Sequence, residues 1–243
     1  MVYFISDVHL GFLEREKDYE LESLLIRFLE AISADCETLY IVGDLFDYWF
    51  DYKTVVPKYF YRTLTVLKKL REKGIKIEYI IGNHDFGHND FFEKELDIRI
   101  YRDDIEREIN GKKFYLSHGD GKLNQDTGYK ILKKVLQNKF ALWLYKLLHP
   151  NIGIGLALSS SRRSREYTDN KNFGEKEGMV EFAQAKIDEG FDYVIMGHRH
   201  RVIEKELGKG KYFNLGGWLR QPTFGRFDSE KMELVDVREY LGK

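Results

Sequence analysis

Five short apolar stretches, Val2 to Ile5, Thr38 to Val42, Ile75 to Ile81, Lys112 to Leu116 and Tyr193 to Met196, each run straight into a polar cluster. That repeated junction limits the possible folds more than any other feature of the chain. The stretches have strand length and strand composition, rich in β-branched and aromatic residues. The clusters are Ser6-Asp7-Val8-His9, Gly43-Asp44-Leu45-Phe46-Asp47, Gly82-Asn83-His84-Asp85, Ser117-His118-Gly119-Asp120 and Gly197-His198-Arg199-His200. Glycine opens three of them, as expected where a strand turns sharply and the backbone must approach a bound species.

Between these strands lie helical patterns. Leu21, Leu24, Leu25, Phe28, Leu29 and Ile32 form the apolar stripe of a helix that covers a sheet. A second helix is predicted from near Pro57 through Phe60, Leu64, Leu67 and Leu70 to a stop at Gly74. A third carries Val180, Ala183 and Ile187 and ends at Gly190. Tyr212 to Leu215 and Glu233 to Tyr240 read as late strands, with Gly216-Gly217 and a loop from Arg220 to Asp228 between them. Strands alternating with helices predict an α/β layered fold, β-sheets flanked by helices.

The rhythm breaks between Gly121 and about Gly174. Ile131, Leu132, Val135, Leu136, Phe140, Leu144, Leu147 and Leu148 make a strongly apolar helical pattern, interleaved with Lys130, Lys133, Lys134, Lys139 and Lys146. Pro150, a glycine-spaced apolar run and the cluster Ser159 to Arg165 follow. We expect a helical cap over 121–174, inserted into a core formed by 1–120 and 175–243. Ordinary helices packed on the core would show the same pattern.

Composition narrows the function. A net charge of −1 gives no global electrostatic case for nucleic acid. One cysteine, Cys36, excludes an internal disulfide framework and suits a reducing compartment, the cytoplasm by default. The opening apolar run is too short for a signal peptide, and no run approaches the length of a membrane span.

Taken singly, each polar cluster resembles a capping or surface feature. Together they put Asp7, His9, Asp44, Asn83, His118, His198 and His200 at one kind of position, the C-terminal end of a strand, which is the ligand edge of an open α/β sheet. Carboxylate, imidazole and amide oxygen suit Mn²⁺, Fe or Zn²⁺ better than all-oxygen cations, and thiolate is absent. Seven ligands exceed what one catalytic ion needs but suit two ions sharing a carboxylate, with Asp44 the natural bridge. Of the other histidines, His88 and His149 are expected in packing or surface roles, and Asp47 and Asp120 in support of the ligands or in turns.

The ordered series Asp-X-His, Gly-Asp, Gly-Asn-His-Asp, His-Gly-Asp and Gly-His-X-His resembles the calcineurin-like metallophosphoesterases from Asp7 to His200. The resemblance implies that Asp7, His9, Asp44 and His200 hold one metal and Asp44, Asn83, His118 and His198 the other, with Mn²⁺ foremost. It also implies that His84 stands beside the scissile phosphate, oriented by Asp85. Both residues are therefore candidate catalytic groups, with Asn83 and His84 at the substrate.

A narrower resemblance is to the UDP-2,3-diacylglucosamine hydrolases of lipid A biosynthesis. It is carried by Gly43-Asp44-Leu45-Phe46-Asp47-Tyr48-Trp49, by His118-Gly119-Asp120 with Leu123, Asp126 and Tyr129 after it, and by the inserted cap. Well-known members of that group carry arginine where this chain has His84, which keeps the general phosphoesterase motif there. The resemblance implies a lipid-linked sugar nucleotide as substrate and a cap that receives acyl chains. It further implies peripheral contact with the inner face of the inner membrane, and no obligate protein partner. Asp126 and Tyr129, and from their chemistry Ser160, Arg163 and Ser164, are the expected substrate contacts.

Two other functions use the same fold. Another phosphodiesterase, for a cyclic nucleotide or nucleic acid, would use the same ions, but the basic residues here concentrate in one apolar insert. A non-catalytic scaffold of the retromer kind would be expected to lose ligand residues, and all seven are present.

Overall fold

The computed structural model describes residues 1–122, 138–169 and 178–242, without the side chains of 139, 141, 160 and 162–169. Its described strands form two sheets. The larger is built from β1 (Val2–Ile5), β2 (Thr38–Val42), β3 (Lys76–Ile80), β4 (Arg99–Tyr101), β10 (Thr223–Phe227) and β11 (Met232–Asp236), in the order β11-β10-β1-β2-β3-β4. The smaller contains β5 (Ile105–Ile109), β6 (Lys112–Ser117), β7 (Tyr193–Met196), β8 (Val202–Leu207) and β9 (Gly210–Leu215), in the order β5-β6-β7-β9-β8. The middle of each sheet is parallel, β1 with β2 with β3, and β6 with β7 with β9.

Alternation along the strands explains the layering. Val2 and Phe4 of β1 face the smaller sheet, where Phe4 stacks on Phe114 at 5.8 Å and Val2, Phe4, Tyr40 and Val42 share one core with Phe114, Leu116, Ile195 and Phe213. Tyr3 and Ile5, on the opposite face, pack instead against the stripe of α1 (Arg15–Ile32) and the buried side of α2 (Tyr61–Glu72). The one-turn helix α3 (Phe91–Lys94) buries Phe92 in the same core just before β4. The outer face of the smaller sheet is covered by Met179, Ala183 and Ile187 of a helix at Gly178–Asp188. Strands buried on both faces read as continuous apolar runs, which is why these particular strands were legible.

Two expectations need correcting, and three strands had none. The expected loop from Arg220 to Asp228 contains β10, which pairs antiparallel with β1 in the middle of the larger sheet. Gly225 disguises it, and a Cβ there would displace the Met232 methyl and crowd Leu215 and Phe4. The expected strand from Glu233 to Tyr240 stops at Asp236, whose carboxylate accepts from the Arg238 and Glu239 amides and caps a short helix at Val237–Leu241. The charged strands β4, β5 and β8, all at sheet edges, carried no sequence signal.

Within 121–174 two helices are described, α4 (Lys139–Lys146) and α5 (Pro150–Asp169). Tyr145 of α4 packs on Phe50 at 4.6 Å, and its hydroxyl donates to the Gly153 carbonyl of α5. Gly153 sits so close to Tyr52 that any Cβ would collide with the phenol oxygen. Among the described residues, no helix is long and apolar enough to cross a membrane.

Candidate metal centre

All seven predicted ligands lie on loops that leave β1, β2, β3, β6 and β7 at their C-terminal ends. The loops are stitched together through the backbone. Asp7 N–H donates to Gly43 O at 3.1 Å, His9 N–H to Asp44 O at 3.0 Å and Gly197 N–H to His118 O at 3.1 Å. Five of the seven ligand residues, Asp7, His9, Asp44, His198 and His200, sit at φ between 50° and 70°. That left-handed conformation costs a non-glycine residue about 1 kcal/mol or more, and such strain gathers at functional sites.

The side chains converge in two groups. In the first, His9 Nε2 and His200 Nε2 are 3.0 Å apart, and Asp7 Oδ1 lies 3.2 Å from His200 and 3.6 Å from His9. In the second, Asn83 Oδ1 lies 2.9 Å from His198 Nδ1 and 3.1 Å from His118 Nε2. Asp44 stands between them, Oδ2 being 3.2 Å from His118 Nε2 and 3.8 Å from His9 Nε2. Its Oδ1 accepts the His84 backbone N–H at 2.9 Å. Asp7, His9 and His200, and likewise Asp7, Asp44 and His118, present donor atoms within 4.8 Å of one another. Two glycines make room for this. A Cβ on Gly82 would strike the Asp44 carboxylate, and one on Gly197 would strike Asp7.

Supporting contacts fix the imidazoles. His118 Nδ1 donates to Val42 O at 2.9 Å, which turns Nε2 inward, and His9 Nδ1 faces Asp47 Oδ1 at 3.3 Å with the same result. The His198 backbone N–H holds the Asp7 carboxylate, 2.9 Å from Oδ2. Burial alone would push the Asp7 and Asp44 carboxyls up, but facing imidazoles outweigh it. His200 and His9 hold Asp7 far below the ordinary carboxylate range, and His118 and His84 do the same for Asp44. Burial, reinforced by charge on His118, pushes His198 down to about 4, so this ring is neutral and fit to be a ligand.

His84 lies at the open rim, its side chain 13% exposed and its ring 4.9 Å from that of His9. Its expected partner is elsewhere. Asp85 Oδ1 accepts Gly82 N–H at 2.7 Å, while Oδ2 accepts Leu45 N–H at 2.9 Å and the Tyr79 hydroxyl. The Asp85 carboxylate thus ties the β3 loop to the β2 loop instead of orienting His84, and its carboxyl is pushed up to about 6 by burial and by Asp44. The carboxylate that faces His84 is Asp47, with Oδ1 3.4 Å from Nδ1. Asp47 Oδ2 accepts from Ser161 Oγ of α5 at 2.8 Å, and Ser161 Oγ is also 3.2 Å from His84 Nδ1.

Ser161 was absent from the expected contacts, although the row of small residues Gly153, Ala157 and Ser161, spaced at i, i+4 and i+8, marks the inward side of α5. Of the expected substrate contacts, Asp126 and Tyr129 lie outside the described residues. Ser160, Arg163 and Ser164 fall on α5 with undescribed side chains. His88 is buried in packing, stacked 5.6 Å from Trp49, and His149 is exposed.

A two-sheet sandwich with a carboxylate-shared histidine cluster on its C-terminal edge defines a class, and the chain belongs to it. It is a calcineurin-like phosphoesterase, matched by the model of that family over residues 1–202, and hence a metal-dependent phosphoester hydrolase. Within the family it is similar to the UDP-2,3-diacylglucosamine hydrolase of Porphyromonas gingivalis, 32% identical with 98% of each chain covered. The hydrolase of that name from Photorhabdus laumondii is 27% identical over 96% of this chain and 97% of its own. Among solved structures, an archaeal phosphodiesterase overlays at a TM-score of 0.47 with 17% identity, covering 97% of this chain and 98% of the other.

Proposed function

We propose that this chain hydrolyses the pyrophosphate of UDP-2,3-diacylglucosamine, releasing UMP and 2,3-diacylglucosamine 1-phosphate, with two divalent ions, Mn²⁺ foremost. The observation that carries the proposal is near end-to-end similarity to hydrolases of that name. The donor set fits two such ions. Asp7, His9, Asp44 and His200 would hold one, and Asp44, Asn83, His118 and His198 the other, with imidazole nitrogens turned inward by Val42 O and Asp47 and with backbone strain already spent on the arrangement. When bound, the ions supply charge that polarises phosphoryl oxygens and makes water acidic enough to attack near neutral pH.

The protein supplies the rest. Asp7 and Asp44 stay ionised through the neutral range, and the His198 amide keeps Asp7 aimed at the centre. His84, at the rim, hydrogen-bonds an oxygen of the phosphate as charge develops on it, with Nδ1 turned toward Asp47 and Nε2 on the opposite edge of the ring.

Residues 121–174 serve as the cap. Phe140, Trp143 and Leu144 of α4, Leu147 in the turn after it and Ile152 and Leu156 of α5 are exposed, an apolar surface suited to acyl chains and to shallow contact with a bilayer. Lys146 on the same hairpin suits anionic headgroups. The enzyme therefore works at the inner face of the inner membrane. The deciding assay offers purified protein Mn²⁺ and UDP-diacylglucosamine and follows UMP. No UMP, beside brisk hydrolysis of a cyclic dinucleotide or simple diester, would overturn the lipid substrate and leave the metal centre standing.

A further inference from the structure

We propose that Ser161, on the cap helix α5, is a positioning residue for His84. It acts together with Asp47, so that seating of the cap and alignment of the phosphate-facing imidazole are one event. The inference rests on His84 meeting the phosphate, as proposed above.

Ser161 is 7% exposed, a buried polar side chain that the cap contributes to the rim of the centre. A serine hydroxyl has one proton. That proton goes to Asp47 Oδ2 at 2.8 Å, so toward His84 Nδ1, 3.2 Å away, the same oxygen accepts. Asp47 Oδ1, 3.4 Å from Nδ1, is also an acceptor. Two acceptors on one ring nitrogen place a proton on Nδ1 whatever the charge of the ring, and they set the ring's plane. Nε2 is thereby presented on the opposite edge.

Asp47 also faces His9 Nδ1 at 3.3 Å, so a single carboxylate orients a metal ligand and the phosphate-facing histidine. Only the serine belongs to the cap. It is brought there by a helix whose beginning is pinned on the core, Gly153 lying against Tyr52. The stretch that carries Asp47 continues directly into Tyr48, Phe50 and Tyr52, against which the cap is seated. Movement of α5 relative to this stretch must therefore move the Ser161 hydroxyl relative to Asp47 and His84.

The test uses the full chain loaded with Mn²⁺ and bis(p-nitrophenyl) phosphate, a small diester with no acyl chain for the cap to hold. Ser161→Ala is expected to lower kcat about tenfold, the scale seen when an orienting partner is removed, with KM within about twofold and metal content unchanged. Ser161→Thr, which keeps the hydroxyl, should restore most of the loss. In a His84→Ala background, Ser161→Ala should cost nothing further. In the metal-free protein, ¹⁵N shifts of the His84 imidazole should report Nδ1–H and should move on Ser161→Ala.

Equal losses from Ser161→Ala with and without His84 would overturn the proposal, as would no loss at all or no recovery with threonine. If His84→Ala keeps full activity, the role given to His84 falls and the proposal falls with it. A large His84→Ala loss beside a silent Ser161→Ala removes the proposal alone.

Discussion

Asp7, His9, Asp44 and His118 are at most 1% exposed, whereas Phe140, Trp143, Leu147 and Ile152 of the cap each expose more than half of their surface. The first group hangs on backbone hydrogen bonds between strand ends, on glycines that admit no side chain and on left-handed residues. The second is attached through an aromatic seam at Tyr48, Phe50, Tyr52 and Tyr145 and through Ser161. Chemistry on phosphorus needs atoms held to fractions of an ångström, and the sheet edge provides that. The proposed ligand with long apolar chains would need a surface of another kind, and the exposed apolar hairpin is suited to it. The two requirements are met in separate parts of the chain.

The comparison breaks most readily at Asp44. Asp44→Ala should remove bound metal and lower turnover by about 100- to 1000-fold. Elemental analysis beside the diester assay checks this, and a variant that keeps two ions would contradict the shared carboxylate. Gly82→Ala forces a methyl into that carboxylate and should cost about 1–3 kcal/mol of stability, read by urea titration, together with weaker metal binding.

On the other side, Trp143→Ser with Leu147→Ser should leave stability within about 0.5 kcal/mol. Hydrolysis of a small diester should be untouched, while turnover of a lipid substrate presented in vesicles falls about tenfold. A loss of thermal stability instead would mean that these side chains are structural.

The smallest effect sharpens the core's side of the contrast. Burial opposes ionisation of Glu78, but Lys76 and Arg107 outweigh it and hold its carboxyl below the ordinary value of 4.5. A lowered carboxyl contributes stability above that ordinary value and loses it as pH falls through the folded one. Glu78→Gln should therefore lose less stability than the parent between about pH 6 and pH 3, measured by urea titration across that range.

Sequence reading singled out the seven candidate ligands, which the fold gathers at one sheet edge, because each sits where a run of buried residues ends. It reached α1, with its stripe from Leu21 to Ile32, for the same reason, since one face of a helix is written into the spacing. It failed where a side chain's partner comes from afar. Asp85 follows His84 directly, which invites pairing them, yet a buried carboxylate goes where unpaired donors are, and Gly82 N–H, Leu45 N–H and the Tyr79 hydroxyl were nearer to hand. Asp47 and Ser161, 114 residues apart, meet only because α5 lies against the loop after β2. Local spacing holds no record of that. β10 was missed because its glycine answers to Met232 and Phe4, not to its sequence neighbours.

Strand β1, which delivers Asp7 and His9, has neighbours from very different stages of the chain's making. β2 follows almost at once, while β10 arrives only at Thr223, and the Trp218 amide that holds the Asp7 carbonyl arrives just before it. Synthesis of the intervening chain takes about ten to forty seconds at ordinary rates. For that time a strand of four apolar residues stands at the open edge of an unfinished sheet, exposed to pairing with any other unfinished chain. The enzyme's most hazardous moment thus precedes its first turnover.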